Sequence, residues 1–248
     1  MTSNFSAPIQ ALRSRTVAIM QPYLFPYIGY FQLLAAADCF VVYDDVQFIK
    51  GGWINRNRLL INGTPFLFTV PLDSPSPNRS ICDIHLGANP LWHGKLLQTI
   101  AQGYRRAPHF EQVFALLERV LTNGRARTIA DLIRVSFVEI IAHLGLTTEI
   151  VPTSAHYGNQ HLRSQERVLD ICRQEQATNY VNAQGGRELY DKEVFGRHGL
   201  QLHFLEPVLR PYRQVGKEPF IPGLSIIDVL MNTSVYEANA LLRSYQLT

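Results

Sequence analysis

An α/β fold with a doubly wound, mostly parallel sheet is predicted by three features of the sequence. Two short apolar, β-branched runs, Thr16-Val-Ala-Ile-Met20 and Cys39-Phe-Val-Val-Tyr43, stop abruptly at polar residues, as buried strands do. Between them lie Ile28, Phe31, Leu33, Leu34, Ala36 and Ala37, an apolar stretch of helical length. After a long helical middle the alternation of strand and helix resumes, the pattern of helices covering both faces of one sheet.

Strand, loop, helix and strand over residues 16–43 form a βαβ unit, whose two strands should run parallel with a right-handed connection. Phe66-Leu-Phe-Thr-Val70 is a third strand candidate, and Pro75, Pro77 and Asn78 mark the loop behind it. From Leu91 to Leu144 the apolar spacing turns helical, as in Leu116, Leu117, Val120 and Leu121 and again in Ile129, Leu132, Ile133, Phe137 and Ile140. Asn123-Gly124 separates two helices there. Residues 91–145 are therefore expected to be a helical insertion or layer within a single α/β domain spanning 1–248. Thr148-Glu-Ile-Val151, a helix from about Ser164 to Arg173, Tyr180-Val181, a helix near Leu189 to His198, and Leu202-His-Phe-Leu205 return the chain to the sheet.

Bulk properties narrow the function classes. A chain of 248 residues can bury a substantial core without disulfides or metals, and 46% hydrophobic with 17% charged residues argues against a disordered or fibrous protein. Lys+Arg 23 against Asp+Glu 20 gives +3, too small an excess to indicate a nucleic-acid partner. Cys39, Cys82 and Cys172 are far apart and form no C-x-x-C pair, which argues against a disulfide framework or zinc knuckle and for a reducing compartment. Met1 to Thr16 has no continuous apolar core ending in a cleavage motif, and no later run approaches the ~20 apolar residues of a spanning helix. A cytoplasmic protein with a mobile arm before Arg15 and no membrane span is expected.

In open α/β sheets, ligands settle outside the carboxyl ends of the strands. Two segments occupy that position. The first, Gln21-Pro-Tyr-Leu-Phe-Pro-Tyr-Ile-Gly-Tyr30, packs Tyr23, Tyr27, Tyr30 and two prolines into the turn between strand and helix, where Gly29 allows close approach. The second runs from Tyr43 to Arg58 and sets Asp44 and Asp45 at a strand end ahead of Lys50, Trp53, Asn55, Arg56 and Asn57. Each residue also has a structural role open to it: the aspartates as turn caps, Arg56 as their ion-pair partner, Trp53 as a cover for the core. As a constellation after a parallel strand they point to a site.

Gly185-Gly186-Arg187 follows a strand and precedes a helix, where it either meets a phosphate or carboxylate or forms an ordinary turn. Ser225 and Asp228 stand three apart at a helix start, a spacing that also caps a helix. The eight histidines are dispersed, and His156-x4-His161 lacks the glutamate of a zinc protease, so no metal site is expected. The absence of a G-x-S-x-G elbow, a Walker-A loop and a G-x-G-x-x-G motif argues against α/β-hydrolases, P-loop NTPases and dinucleotide dehydrogenases.

Gln21-Pro-Tyr-Leu-Phe-Pro-Tyr-Ile-Gly-Tyr-Phe-Gln32, Tyr43-Asp-Asp-Val-Gln47 and Gly52-Trp-Ile-Asn-Arg-Asn57 resemble the signature blocks of the WbqC-like protein family. So do Tyr180-Val-Asn-Ala-Gln-Gly-Gly-Arg187 with Tyr190-Asp191, and Phe220-Ile-Pro-Gly-Leu-Ser-Ile-Ile-Asp-Val-Leu-Met-Asn232, so that the likeness spans roughly Val17 to Asn232. The resemblance implies a place in O-antigen or other surface-polysaccharide biosynthesis, modifying a sugar or sugar nucleotide by attaching an acyl or aminoacyl group to an amino sugar. On that reading the chain is a transferase in which Asp44 or Asp45 acts as general base or orients the amine, Lys50 and Tyr27 complete the catalytic set, and Lys50, Arg56 and Arg187 bind an anionic group. Gln21, Tyr23, Tyr30, Trp53, Asn55, Asn57, Gly185, Gly186, Ser225 and Asp228 would surround the substrate. The alternative is a non-catalytic sugar-nucleotide-binding protein that uses Trp53 and the tyrosines as stacking faces.

The expected partner is in either case a small molecule, a sugar nucleotide or amino sugar with an anionic group; cofactor, use of ATP and oligomeric state are left open. A second resemblance joins Phe25-Pro-Tyr-Ile-Gly-Tyr30 to the P-x-H-x-G-H turn of HIGH-type nucleotidyltransferases, implying a HUP-like form of the Rossmann-like fold and, as a further alternative, a nucleotidyltransferase-like enzyme with a divergent site. Tyr27 and Tyr30 stand where that superfamily carries its histidines, so the imidazoles that would meet ATP phosphates are absent, although a phenol still donates a hydrogen bond.

Overall fold

The computed structural model describes residues 14–248 apart from residues 90, 217 and 218. The expected mobile arm before Arg15 and the reading of the amino-terminus fall mainly on residues 1–13, outside the described residues. From the amino-terminal side, β1 (Thr16–Met20), α1 (Ile28–Ala35) and β2 (Cys39–Val42) form the βαβ unit, with β1 and β2 parallel and Val17 opposite Cys39. A hairpin, β3 (Arg56–Ile61) and β4 (Thr64–Thr69), comes next, then three helices, α2 (Leu91–Tyr104), α3 (Phe110–Leu121) and α4 (Ile129–Leu144). The chain re-enters the sheet through β5 (Glu149–Val151), α5 (Ser164–Gln174), β6 (Asn179–Ala183), α6 (Lys192–Arg197) and β7 (Gln201–Pro207). It closes with α7 (Ile226–Asn232), α8 (Val235–Leu242) and a short β8 (Tyr245–Leu247).

The main sheet has the order β5-β2-β1-β6-β7-β8, parallel except for β8 at its edge. This is a doubly wound, Rossmann-like α/β fold. The chain steps outward from β1 through β2 to β5, then crosses back to the far side of β1, so the winding reverses between β1 and β6. Side chains of the central strands alternate between two cores. Ala18, Phe40, Val42, Val181 and Leu205 join one with α1, α4 and α7, while Val17, Ile19, Val41, Tyr180 and Phe204 join the other with α5 and α6. Burial on both faces is why β1 and β2 are continuously apolar rather than alternating with polar residues.

The strand expected at Phe66–Val70 is present, largely as β4, which pairs with β3 in a separate two-stranded sheet, from Arg56 opposite Thr69 to Ile61 opposite Thr64. Asn62 and Gly63 make its turn with φ of 52° and 77°, as a two-residue hairpin loop with the twist of its strands requires. The helix expected near Leu189 begins later, at Lys192, because the Asp191 side chain accepts from the Glu193 amide and caps it there.

Candidate active site at the strand-order reversal

A cavity of about 700 Å³ opens where the winding reverses, the position at which open α/β sheets bind ligands. Gln21 at the end of β1, Tyr23, Tyr27 and Tyr30 from the loop and helix that follow, and Tyr43 just past β2 form one side. Asn182, Gln184, Gly185 and Gly186 at the end of β6 form the other, with Tyr190 beyond them. Among the described lining residues the only ionisable side chains are these phenols. Burial holds Tyr23, Tyr27, Tyr43 and Tyr190 above the ordinary phenol pKa and Tyr30 well above it, so at neutral pH all five are uncharged. The cavity is therefore aromatic, amide-bearing and without formal charge.

The loop carrying Tyr23 and Tyr27 is held rigidly from three directions. Phe25 adopts φ 46°, a conformation that costs a bulky residue roughly 1–3 kcal/mol, while its side chain is wholly buried. Its carbonyl accepts from Asn57 Nδ2 at 2.8 Å and from Ser225 Oγ at 2.7 Å. The Leu24 amide donates to the Ile54 carbonyl, the Ile226 amide to Pro26, and the Tyr30 hydroxyl to the Gln21 carbonyl at 2.9 Å. Hairpin, α7 and α1 thus position the two tyrosines. Gly29 completes the arrangement, since a methyl group on its Cα would collide with the far end of the Tyr27 ring. Gly29→Ala is expected to swing that ring out of the cavity wall, weakening ligand binding by about 2–10-fold while the melting temperature stays close to wild type. An unchanged affinity in calorimetry would show that the Tyr27 ring is not a binding surface.

Asp44 and Asp45 do not line the cavity. Asp44 is wholly buried, accepting from Thr153 Oγ1 at 2.7 Å and the Ser154 amide at 3.2 Å, with Arg134 Nη1 at 3.3 Å. Burial raises its pKa despite those donors. Asp45 pairs with Arg167 at 2.6 Å and accepts from the Ser154 hydroxyl. Arg167 in turn donates to Asn159 at 2.9 Å and lies 4.9 Å over the Tyr43 ring. The two carboxylates therefore stand away from the cavity lining, and Asp45 reaches it through Arg167 and Tyr43.

The remaining sequence candidates divide in the same way. Lys50 is exposed in the turn after β2, and Asn55 Nδ2 donates to the Val70 carbonyl at 2.7 Å, tying the ends of the hairpin. Arg56 donates from Nε to Gly52 and, like Arg58, lies within 6 Å of the Trp53 ring centre. Trp53 and Asn57 line a second cavity of about 250 Å³, which shares Tyr23 and Tyr27 with the first. Arg187 pairs with Glu206 and lies over Phe204 at the edge of the sheet. Ser225 caps α7, accepting from the Ile227 amide. Asp228 is wholly buried one turn further on, where it accepts from Tyr104, Tyr212 and Gln214.

Sequence reasoning did not single out Tyr43, Asn182, Gln184 and Tyr190 as site residues, although each stands inside or beside a block quoted above for its family resemblance. Arg58, one residue past another such block, was passed over in the same way.

The model of the WbqC-like protein family matches residues 21–240 of this chain. The chain is similar to the uncharacterized protein Rv1507c of Mycobacterium tuberculosis (strain ATCC 25618 / H37Rv), at 29% identity over 219 residues that cover 88% of this chain and 94% of that protein. No solved structure matches it. The family match spans both sides of the cavity, from Gln21 to Tyr190 and beyond.

Proposed function

This chain belongs to the WbqC-like protein family, and from what that resemblance implies, together with the chemistry of its cavity, we propose that it is an enzyme of surface-polysaccharide or sugar-nucleotide biosynthesis that transfers an acyl or aminoacyl group to an amino sugar. The neutrality of the cavity carries this reading. Tyrosine faces suit the apolar faces of a sugar ring, and side-chain amides suit its hydroxyls. An amine enclosed by uncharged groups loses its proton more readily, because burial disfavours the ammonium form and no carboxylate among the described lining residues offsets that cost. The freed lone pair is the nucleophile. Its nitrogen bonds to the acyl carbon of an activated donor, the bond to the donor's leaving group breaks with its electron pair, and the nitrogen's proton passes to the leaving group or to water. Tyr27 and the amides of Gln21 and Gln184 are among the lining hydrogen-bond donors that suit the carbonyl oxygen as it gains charge. Asp45 enters as a positioning residue, which sets Tyr43 through Arg167.

The test is turnover. An amino-sugar nucleotide, incubated with the protein and an activated acyl donor, with and without ATP, is expected to gain the mass of one acyl group. Deletion of the gene is expected to remove one substituent from the surface glycan in mass spectra. The same tyrosine faces and amides suit a second reading, a binding protein that holds the sugar of a sugar nucleotide without transforming it. Saturable binding with no product from any donor, and an unaltered glycan, would select that reading over the first.

A further inference from the structure

The cavity of about 250 Å³ beside the hairpin is smaller than the ~300–1,000 Å³ pockets that enclose whole ligands, yet it abuts the larger cavity through Tyr23 and Tyr27. Most of its wall is flat or apolar, from Pro26, Trp53, Leu209 and the two tyrosines. Among the described residues one cation lines it, Arg58, whose Nε is buried without a hydrogen-bond partner. Its Nη2 meets, among the described residues, only the Gly223 carbonyl, at 3.2 Å. Arg58 lies 5.7 Å and Arg56 5.9 Å from the centre of the Trp53 ring, which is 44% exposed. Among the described residues neither arginine meets a carboxylate, whereas Arg134, Arg167 and Arg187 each do. A guanidinium that lines a cavity wall without a carboxylate partner keeps terminal N–H donors for a ligand anion.

We propose that this smaller cavity is a nucleotide subsite, in which the planar side chains take a nucleobase and Arg58, supported by Arg56, takes a phosphate. A guanidinium offers a phosphate two parallel hydrogen bonds, and an indole beside it offers a base a stacking face. A carboxylate alone would satisfy Arg58 but leave the flat walls unused. The proposal rests on the reading that the larger cavity holds the sugar, with Tyr23 and Tyr27 between the two halves of one ligand. It also accommodates a nucleotide that serves only to activate the donor, since base and phosphate are common to both.

Calorimetric titration of the full chain with UDP, ADP, inorganic phosphate and glucosamine tests it, with Trp53 fluorescence as a second signal and a Trp53→Phe control for the other tryptophan. One of the two nucleotides is expected to bind and to quench Trp53, and phosphate alone to bind far more weakly. Arg58→Gln is expected to weaken the nucleotide by about 10–100-fold, and Trp53→Ala to weaken it too, with glucosamine binding unchanged in both. Preference for UDP assigns the subsite to a sugar nucleotide, and preference for ADP to an ATP-dependent activation. Nucleotide binding that both variants leave intact overturns the proposal, as does glucosamine binding with no nucleotide binding, which leaves the larger cavity's role standing. Arg58-dependent nucleotide binding without glucosamine binding sustains the subsite and overturns the sugar reading instead. No binding of any of the four overturns both. Because Trp53 is exposed, Trp53→Ala stays informative even if Arg58→Gln disturbs the Gly223 loop.

Discussion

Asp45→Ala is expected to lower the stability of the protein by about 3–5 kcal/mol, because it strands a buried arginine. The side chains of Asp45 and Arg167 are 8% and 3% exposed, and their charged atoms lie 2.6 Å apart. Truncating the carboxylate leaves the guanidinium in the interior with only the Asn159 oxygen and the Tyr43 ring to face. Removing both partners, as in Asp45→Ala with Arg167→Met, is expected to recover part of that loss, since an apolar replacement leaves no uncompensated charge. Urea unfolding at neutral pH measures both. The comparison also separates structure from chemistry. If Asp45→Ala unfolds with the wild type while turnover disappears, the carboxylate acts on the substrate, as the sequence alone suggested, and its role as a support is wrong.

A loss of about 3 kcal/mol or more is expected for Asp228→Ala, where three donors converge on one buried carboxylate. Tyr104 donates at 2.9 Å, Tyr212 at 2.6 Å and Gln214 at 2.8 Å. The Tyr104 hydroxyl also accepts from the Leu60 amide at 2.8 Å, so the network joins α7, α2 and the hairpin that carries Trp53 and Arg58. Its pH dependence has a definite sign. Burial raises the Asp228 carboxyl above its ordinary value of 3.8, and the three donors only partly offset this. The folded state therefore holds the proton more tightly than the unfolded chain. Its contribution is fully present below pH 3.8 and is lost as pH rises through the higher, folded value. Asp228→Asn, which cannot titrate, is expected to remove that fall from a plot of unfolding free energy against pH. An identical slope in the two proteins would show that Asp228 titrates normally.

The family blocks were legible in the sequence because each is contiguous, and they overlap the cavity: Gln21, Tyr23, Tyr27, Tyr30, Gly185 and Gly186 were all marked from the sequence and all line it. The hairpin has its own signal in the sequence, Ile61-Asn-Gly-Thr64 between two apolar runs. The likeness of Tyr27 and Tyr30 to a paired motif did not extend to a shared role. The Tyr30 hydroxyl is engaged by the Gln21 carbonyl, and burial keeps its phenol protonated.

By itself the sequence determined the doubly wound sheet, since the nearly continuous apolar runs of β1 and β2 mark strands buried on both faces, and the alternation of strands and helices resumes after the helical middle. It determined the place of the cavity as well, because ligands in such sheets collect beyond the carboxyl ends of the strands. Only the tertiary structure decided which polar residues face that cavity. Asp44 and Asp45 end a strand in the same local sequence whether they turn toward a ligand or toward the protein. Their direction was settled by Arg134, Thr153, Ser154 and Arg167, some 90 to 122 residues further along the chain. A buried carboxylate must find donors wherever the fold brings them, and that pairing is a property of packing, not of spacing.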